Sequence, residues 1–287
     1  MLQRSLLAAG LLLGVTALHA PAHASAFDTA VMNTPGLLGY YPFTPASQAN
    51  STVNNYTGTL YNGATIGGPG SGPPVNDPNS SALVLNNGPS GTAYASAGGS
   101  NPLLGGVGNS GSIIAWINLA SLPSVQNRIF SVAGESQSGN DFDLQVNPDN
   151  RITFYTDGGG NTATDPLTAA NLGNWIFVVA TFAENSQRNI YLNGSLAAST
   201  VPGGHSFNSS PFYQGESDVF TGRYFDGSLA DVGLFNTALT GEQVETLYAA
   251  SFAETPTAVP EPGTLLLTLG ALAAATATRR RPSSAQT

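Results

Sequence analysis

Apolar residues along the chain gather in short runs, many alternating with polar ones, and clusters of Gly, Pro, Asn and Ser separate the runs. Residues 112–119 read Ser-Ile-Ile-Ala-Trp-Ile-Asn-Leu, β-branched and aromatic as a strand requires. Residues 174–182 are apolar at nearly every position, which predicts a central strand covered on both faces. Residues 188–192 alternate, with Ile190 and Leu192 on one face and Asn189 and Tyr191 on the other. Asn193-Gly194 then predicts a tight hairpin turn into 195–200. Further strands are expected at 128–133, 142–146 and 152–156, the last two joined by Pro148-Asp149-Asn150, and at 219–222 and 227–235. Nearer the start, an apolar run within 33–43 predicts a first strand, and 82–85 and 92–96 predict short ones. Segments 44–59, 67–78, 98–111, 157–171 and 203–215 read as loops. One helix is expected after Thr240, with Gln243 as its capping-box partner and Val244, Leu247 and Tyr248 on one face. About a dozen short strands with regular turns predict an all-β, antiparallel two-sheet sandwich carrying one short C-terminal helix.

The two ends follow other patterns. Arg4, the apolar stretch 6–18 and the small-x-small triplet Ala22-His23-Ala24 predict a signal peptide over 1–24, cut after Ala24. A Thr/Pro/Ala linker, 252–258, leads into Val-Pro-Glu-Pro-Gly, an uncharged run 264–278 and three arginines. As a helix those 15 residues reach about 22 Å, short of a hydrocarbon core of about 30 Å. That length suits a transient anchor, and the arginines favour the cytoplasmic side. The segment 259–281 resembles the PEP-CTERM sorting signal of Gram-negative bacteria that make exopolysaccharide. The resemblance implies recognition of Pro260, Glu261 and Pro262 by an exosortase-type membrane protease, with Arg279, Arg280 and Arg281 as the basic stop. It also implies passage through the inner membrane to the cell surface or extracellular matrix.

Composition narrows the chemistry. The chain has no cysteine and no lysine. Between the leader and the tail, four arginines (Arg128, Arg151, Arg188, Arg223) face sixteen carboxylates. Such a balance repels nucleic acid and anionic membrane, and favours divalent cations or neutral glycans. A cysteine nucleophile, a lysine Schiff base and a multi-histidine zinc site are excluded, because His205 is the one histidine outside the leader. No Gly-x-Ser-x-Gly elbow accompanies it.

Several segments recur in a recognisable order: Leu38-Gly39-Tyr40-Tyr41-Pro42-Phe43, then 112–118, Asn174-Trp175, Ile190-Tyr191-Leu192-Asn193-Gly194, and the run from Phe225 through Asp226 to Asp231-Val232. Over 35–251 this order resembles a laminin-G-like, concanavalin A-like domain. The resemblance implies a jelly roll, a binding role more often than a catalytic one, and often one calcium ion. The positions matching the family's calcium loop and late strand are Asn50, Asn54 and Asp231. Asn50 and Ala230 stand where an acid is usual, so the implied Ca2+ site has one carboxylate and leans on loop carbonyls.

Two further groups of residues bear on function. Asp141-Phe142-Asp143-Leu144-Gln145 puts 141, 143 and 145 on one strand face, like the Glu-x-Asp-x-Glu strand of laminarinase-type glycosidases. Gln145 cannot exchange a proton, so the acid/base is missing and the chain reads as non-catalytic. Trp116 and Trp175 lie inside apolar strands and read as core. Tyr155, Tyr213, Tyr224 and Phe225 read as exposed rings, and Tyr224-Phe225-Asp226 as a candidate glycan contact. The expectation is an exported binding module of the envelope or biofilm matrix that recognises polysaccharide. The alternatives are a glycoside hydrolase or lyase on the same fold, or a structural matrix protein without a discrete ligand.

Overall fold

The computed structural model describes residues 25–77, 79–88, 91–97, 108–125, 127–132, 142–156, 161–183, 187–201, 212–216 and 222–254. The leader, Asp141, His205, most of the strand expected at 219–222 and the whole sorting segment 259–281 lie outside the described residues. The chain forms α1 (Ala26–Asn33), β1 (Leu37–Tyr41), β2 (Gly58–Tyr61), β3 (Thr65–Ile66), β4 (Leu83–Leu85) and β5 (Tyr94–Ala97). Next come β6 (Ser110–Leu119), β7 (Asn127–Val132), β8 (Phe142–Val146), β9 (Arg151–Thr156) and β10 (Asn161–Pro166). They are followed by β11 (Trp175–Ala183), β12 (Arg188–Leu192), β13 (Ser195–Thr200), β14 (Phe212–Gln214), β15 (Gly227–Phe235) and α2 (Gly241–Ala250).

Two antiparallel sheets result, as expected. One runs β13-β12-β11-β6-β15-β4-β3, with β1 set end to end with β4 along β15. The other runs β10-β9-β8-β7-β14-β5-β2. Between them lies a core in which Ile113, Ala115, Ile117, Val178, Ala180 and Phe182 meet Leu144, Val146, Ile152 and Phe154.

The double-sided apolar character of β6 and β11 has a second cause. Their outward residues Ile114, Trp116, Phe177 and Val179 are covered by Phe27 and Val31 of α1 and by Val244 and Leu247 of α2. Phe27 meets Phe177 edge-on at 5.7 Å, and Trp116 lies 5.2 Å from Phe177 between ring centres. Trp116 is therefore core, as expected, and Trp175 packs half-buried against the same layer. Thr240 caps α2 in a capping box with Gln243, also as expected.

Strand β15 carries a device that the sequence pattern hid. Ala230 pairs with Trp116 and Gly233 with Ile114, so β15 has one extra residue there. Asp231 sits in this bulge with φ 51°, a left-handed value uncommon for a non-glycine residue. The extra residue reverses the alternation. Leu229 points into the sandwich core before the bulge, and Val232 and Leu234 point there after it.

Four expectations need correction. The loop expected at 157–171 contains β10, an edge strand that ends on Pro166, as an edge permits. It contributes Thr162 and Thr164, buried threonines rather than apolar residues, so no apolar run marked it. The loop expected at 203–215 contains β14, a short strand in the middle of the second sheet. The end of the loop expected at 44–59 begins β2. The packed body also begins before Pro35, at α1, whose capping box joins Ser25 and Asp28. Among the described residues no helix is long and apolar enough to cross a membrane.

Candidate functional site

The two outer faces of the sandwich differ. Helices seal the first sheet. Among the described residues the second sheet carries no helix on its outer face, and its register sets Thr59, Ser96, Tyr213, Ser131, Asp143, Tyr155 and Asn161 at matching positions across seven strands. Their chain neighbours Leu60, Ala95, Leu144 and Phe154 point to the core, so Thr59, Ser96, Asp143 and Tyr155 are turned away from it. A tyrosine group dominates one end. Tyr61 stacks on Tyr94 with ring centres 4.5 Å apart and planes 11° apart, and Tyr213 meets Tyr94 edge-on at 5.8 Å. Tyr61 is 38% exposed, while Tyr94 and Tyr213 are half-buried. Burial pushes the Tyr94 phenol up to about 12, helped by the nearby Glu216 carboxylate and by Tyr61, Tyr213 and Tyr224. The same two influences, burial and then Glu216, raise Tyr224. Four tyrosines thus share a patch, with the Glu216 carboxylate beside them only 8% exposed.

Further along the row, Asp143 is 1% exposed. Gln145 donates its amide to Asn147 Oδ1 at 2.7 Å, and Asn147 donates to Thr153 Oγ1 at 3.0 Å. Gln145 therefore has a structural hydrogen bond in the place where the glycosidase strand carries its acid. Arg188 is buried on the interior side, and burial lowers its pKa.

The sequence-predicted contact Tyr224-Phe225-Asp226 separates into three roles. Tyr224 belongs to the tyrosine patch. Phe225, expected to be exposed, is instead wholly buried in the sandwich core. Its amide donates to Gly215 O and its carbonyl accepts from Asn87 Nδ2, which fixes the turn inward. Asp226 is a clamp between loops, accepting from the Gly88 amide and the Ser121 hydroxyl. Tyr61 and Tyr94 were missed. The signal available was their aromatic character at the ends of short alternating segments, Gly-Thr-Leu-Tyr and Tyr-Ala-Ser-Ala.

The residues expected to hold calcium are engaged elsewhere. Asn50 Oδ1 accepts from the Gly58 amide at 3.0 Å, and Asn54 Nδ2 donates to Leu38 O at 2.9 Å. Asp231 is buried against the Tyr40 hydroxyl at 2.9 Å, and burial, with Asp28 nearby, raises its carboxyl well above the usual range. A calcium ion needs several oxygens with charge among them. The three expected residues supply one carboxylate, and the side-chain amides of Asn50 and Asn54 each already hold a backbone group. Among the described residues no group of three or more His, Asp or Glu side chains is arranged to hold a metal. Beside α1 a cavity of about 570 Å3 opens between Asp28, Met32, Tyr40, Thr52, Asp77 and Asn79.

A sandwich of two antiparallel sheets, one sealed by helices and the other carrying a tyrosine cluster, has the build of a jelly roll. The sequence agrees over 89–245, more than half of the chain, which match the family model of the concanavalin A-like lectin/glucanases superfamily. The chain belongs to that superfamily. Domain 4 of an extracellular GH43 arabinanase from Geobacillus stearothermophilus, solved with arabinotriose, has the same fold with a TM-score of 0.57. It is 16% identical, and the match covers 74% of this chain and 98% of that one. A structure of botulinum neurotoxin type C, described as entering cells through two ganglioside molecules, matches at a TM-score of 0.57 and 14% identity over 76% of this chain. The binding domain of Paraclostridial Mosquitocidal Protein 1 matches at 0.56 and 14% over 74%. The chain spans about half the length of these two toxin structures, 52% in each case. At these identities the likeness is one of fold. No curated protein matches the sequence.

Proposed function

We propose that this protein is an exported, non-catalytic carbohydrate-binding module that presents the tyrosine patch of its second sheet to polysaccharide outside the cell. The observation that carries the reading is the patch Tyr61, Tyr94, Tyr213 and Tyr224, on a sheet face that no helix among the described residues covers. Aromatic rings receive the apolar faces of sugars, and phenols and carboxylates hydrogen-bond their hydroxyls. Similar structures whose descriptions name a glycan, arabinotriose in one and gangliosides in another, support a sugar as ligand. Gln145, which cannot exchange a proton, stands where a laminarinase-type strand carries its acid, and that argues against a glycosidase of that type. The test is affinity electrophoresis through gels containing neutral polysaccharides. Wild type is expected to be retarded by at least one of them, and Tyr94→Ala to lose about tenfold in affinity, roughly 1.4 kcal/mol, with its fold intact by circular dichroism. Unchanged retardation in Tyr94→Ala and Tyr213→Ala would move the site elsewhere. Retardation in none of the gels would favour a matrix protein without a discrete ligand.

The route outward is part of the same proposal. The leader over 1–24 and the tail with Pro260, Glu261, Pro262 and Arg279 to Arg281 suit export, brief anchorage and cutting by an exosortase-type protease. Changing Pro260 and Pro262 to Ala is expected to leave an uncut chain in the membrane fraction. Normal release of that variant would dismiss the sorting reading and leave the binding reading untouched.

A further inference from the structure

Ser25 caps α1 through two reciprocal hydrogen bonds. Its hydroxyl accepts from the Asp28 amide at 3.0 Å, and its own nitrogen donates to Asp28 Oδ2 at 3.2 Å. The other oxygen of Asp28 accepts from the Tyr40 hydroxyl at 2.5 Å, and that hydroxyl also meets Asp231 in the β15 bulge at 2.9 Å. One carboxylate thus ties the first residue of the packed body to β1 and β15. The charged side chains that act on Tyr40 and Asp231 are all acidic. No lysine exists anywhere in the chain to balance them.

The bond that the leader reading marks for cleavage is Ala24–Ser25, and its nitrogen is the one that faces Asp28. We infer that cleavage there converts the Ser25–Asp28 hydrogen bond into an ion pair that fastens α1 to the sheet only in the mature protein. Water adds its hydroxyl to the Ala24 carbonyl and a hydrogen to the Ser25 nitrogen. The new acid on the leader gives up its proton, and the new amine takes one up. An α-amino group ordinarily titrates at about 7.7–8.0, so it is mostly an ammonium at neutral pH. A positive charge at a helix N-terminus is opposed by the helix dipole. The Asp28 carboxylate, already 3.2 Å from that nitrogen, offsets this, and a charge-assisted hydrogen bond is stronger than a neutral one. This ammonium is also the one primary amine of the mature chain, since lysine is absent.

That last fact supplies the test. The protein is collected from the medium of producing cells and its N-terminal peptide weighed by mass spectrometry. It is then treated with an amine-selective acylating reagent, which has a single possible amine target. The inference rests on the leader reading, and the two fail differently. A start other than Ser25 overturns the cleavage step, and the pairing with it, before any labelling is done. With Ser25 first, the amine is expected to acylate about tenfold more slowly in wild type than in Asp28→Asn. Asp28→Glu should restore part of the protection. Because Asp28→Asn alters the cap, a second chain keeps Asp28 and retains Ala24 as an extra first residue. Its displaced amine should label at the fast rate, and its melting temperature should lie about 2–4 °C below that of the chain starting at Ser25. Equal labelling rates in wild type and both variants would overturn the ion pair.

Discussion

Gln214 is the residue least at ease in this molecule. It lies on the interior face of β14, opposite Ala95, fully buried, and neither end of its side-chain amide has a hydrogen-bond partner. A buried amide without partners costs about 1–3 kcal/mol. Gln214→Leu, similar in volume, is therefore expected to be stabilised by about that amount in urea unfolding. A destabilised variant would mean that Gln214 has a role its surroundings do not reveal. The same residue shows what one-dimensional reading misses. A polar residue next to Tyr213, in a stretch rich in Gly and Ser, reads as loop, and nothing in the sequence says that its strand pairs on both sides. Phe225 misled in the opposite way. An aromatic beside Arg223 and Tyr224 reads as exposed, yet the Asn87 amide holds the Phe225 carbonyl and the side chain enters the core. Long-range pairs of this kind, 138 residues apart, leave no local mark.

At the scale of elements, legibility followed apolar density. β6, β8, β11, β12, β13 and β15 stand within two residues of their expected bounds, since each carries a run or alternation that buries on folding. β10 and β14 have the sequence pattern of loops because burial there falls on Thr162, Thr164 and Gln214. α1 escaped notice because eight residues show only two helical turns, although Ser25 with Asp28 and Phe27 with Val31 mark its cap and its face. The bulge at Asp231 was hidden because a reversal of alternation in Leu-Ala-Asp-Val-Gly-Leu reads equally well as a strand covered on both faces. Half of the candidate site was visible, in Tyr213 and Tyr224. The other half, Tyr61 and Tyr94, needed the pairing of β2 with β5, which sequence spacing does not give.

For the whole molecule, charge decides which polysaccharides can approach. Between leader and tail, four arginines face sixteen carboxylates. Of the arginines, Arg151 is occupied by contacts with Asp149 and Asp165, and Arg188 is buried. The Glu216 carboxylate, 8% exposed, lies close enough to the tyrosine patch to act on Tyr94 and Tyr224. A neutral glycan meets no long-range force here, and its binding by ring faces and hydrogen bonds should change little with salt. A polyuronate is repelled, and only salt relieves that repulsion, with a screening length of about 8 Å at 0.15 M and about 30 Å at 0.01 M. Titrating one neutral and one anionic polysaccharide at both salt concentrations separates these cases. The neutral polymer is expected to bind with similar affinity at both, and the anionic one to gain affinity as salt rises. Tighter anionic binding at low salt would point to the arginines, and would remove the tyrosine patch as the place where the polymer binds.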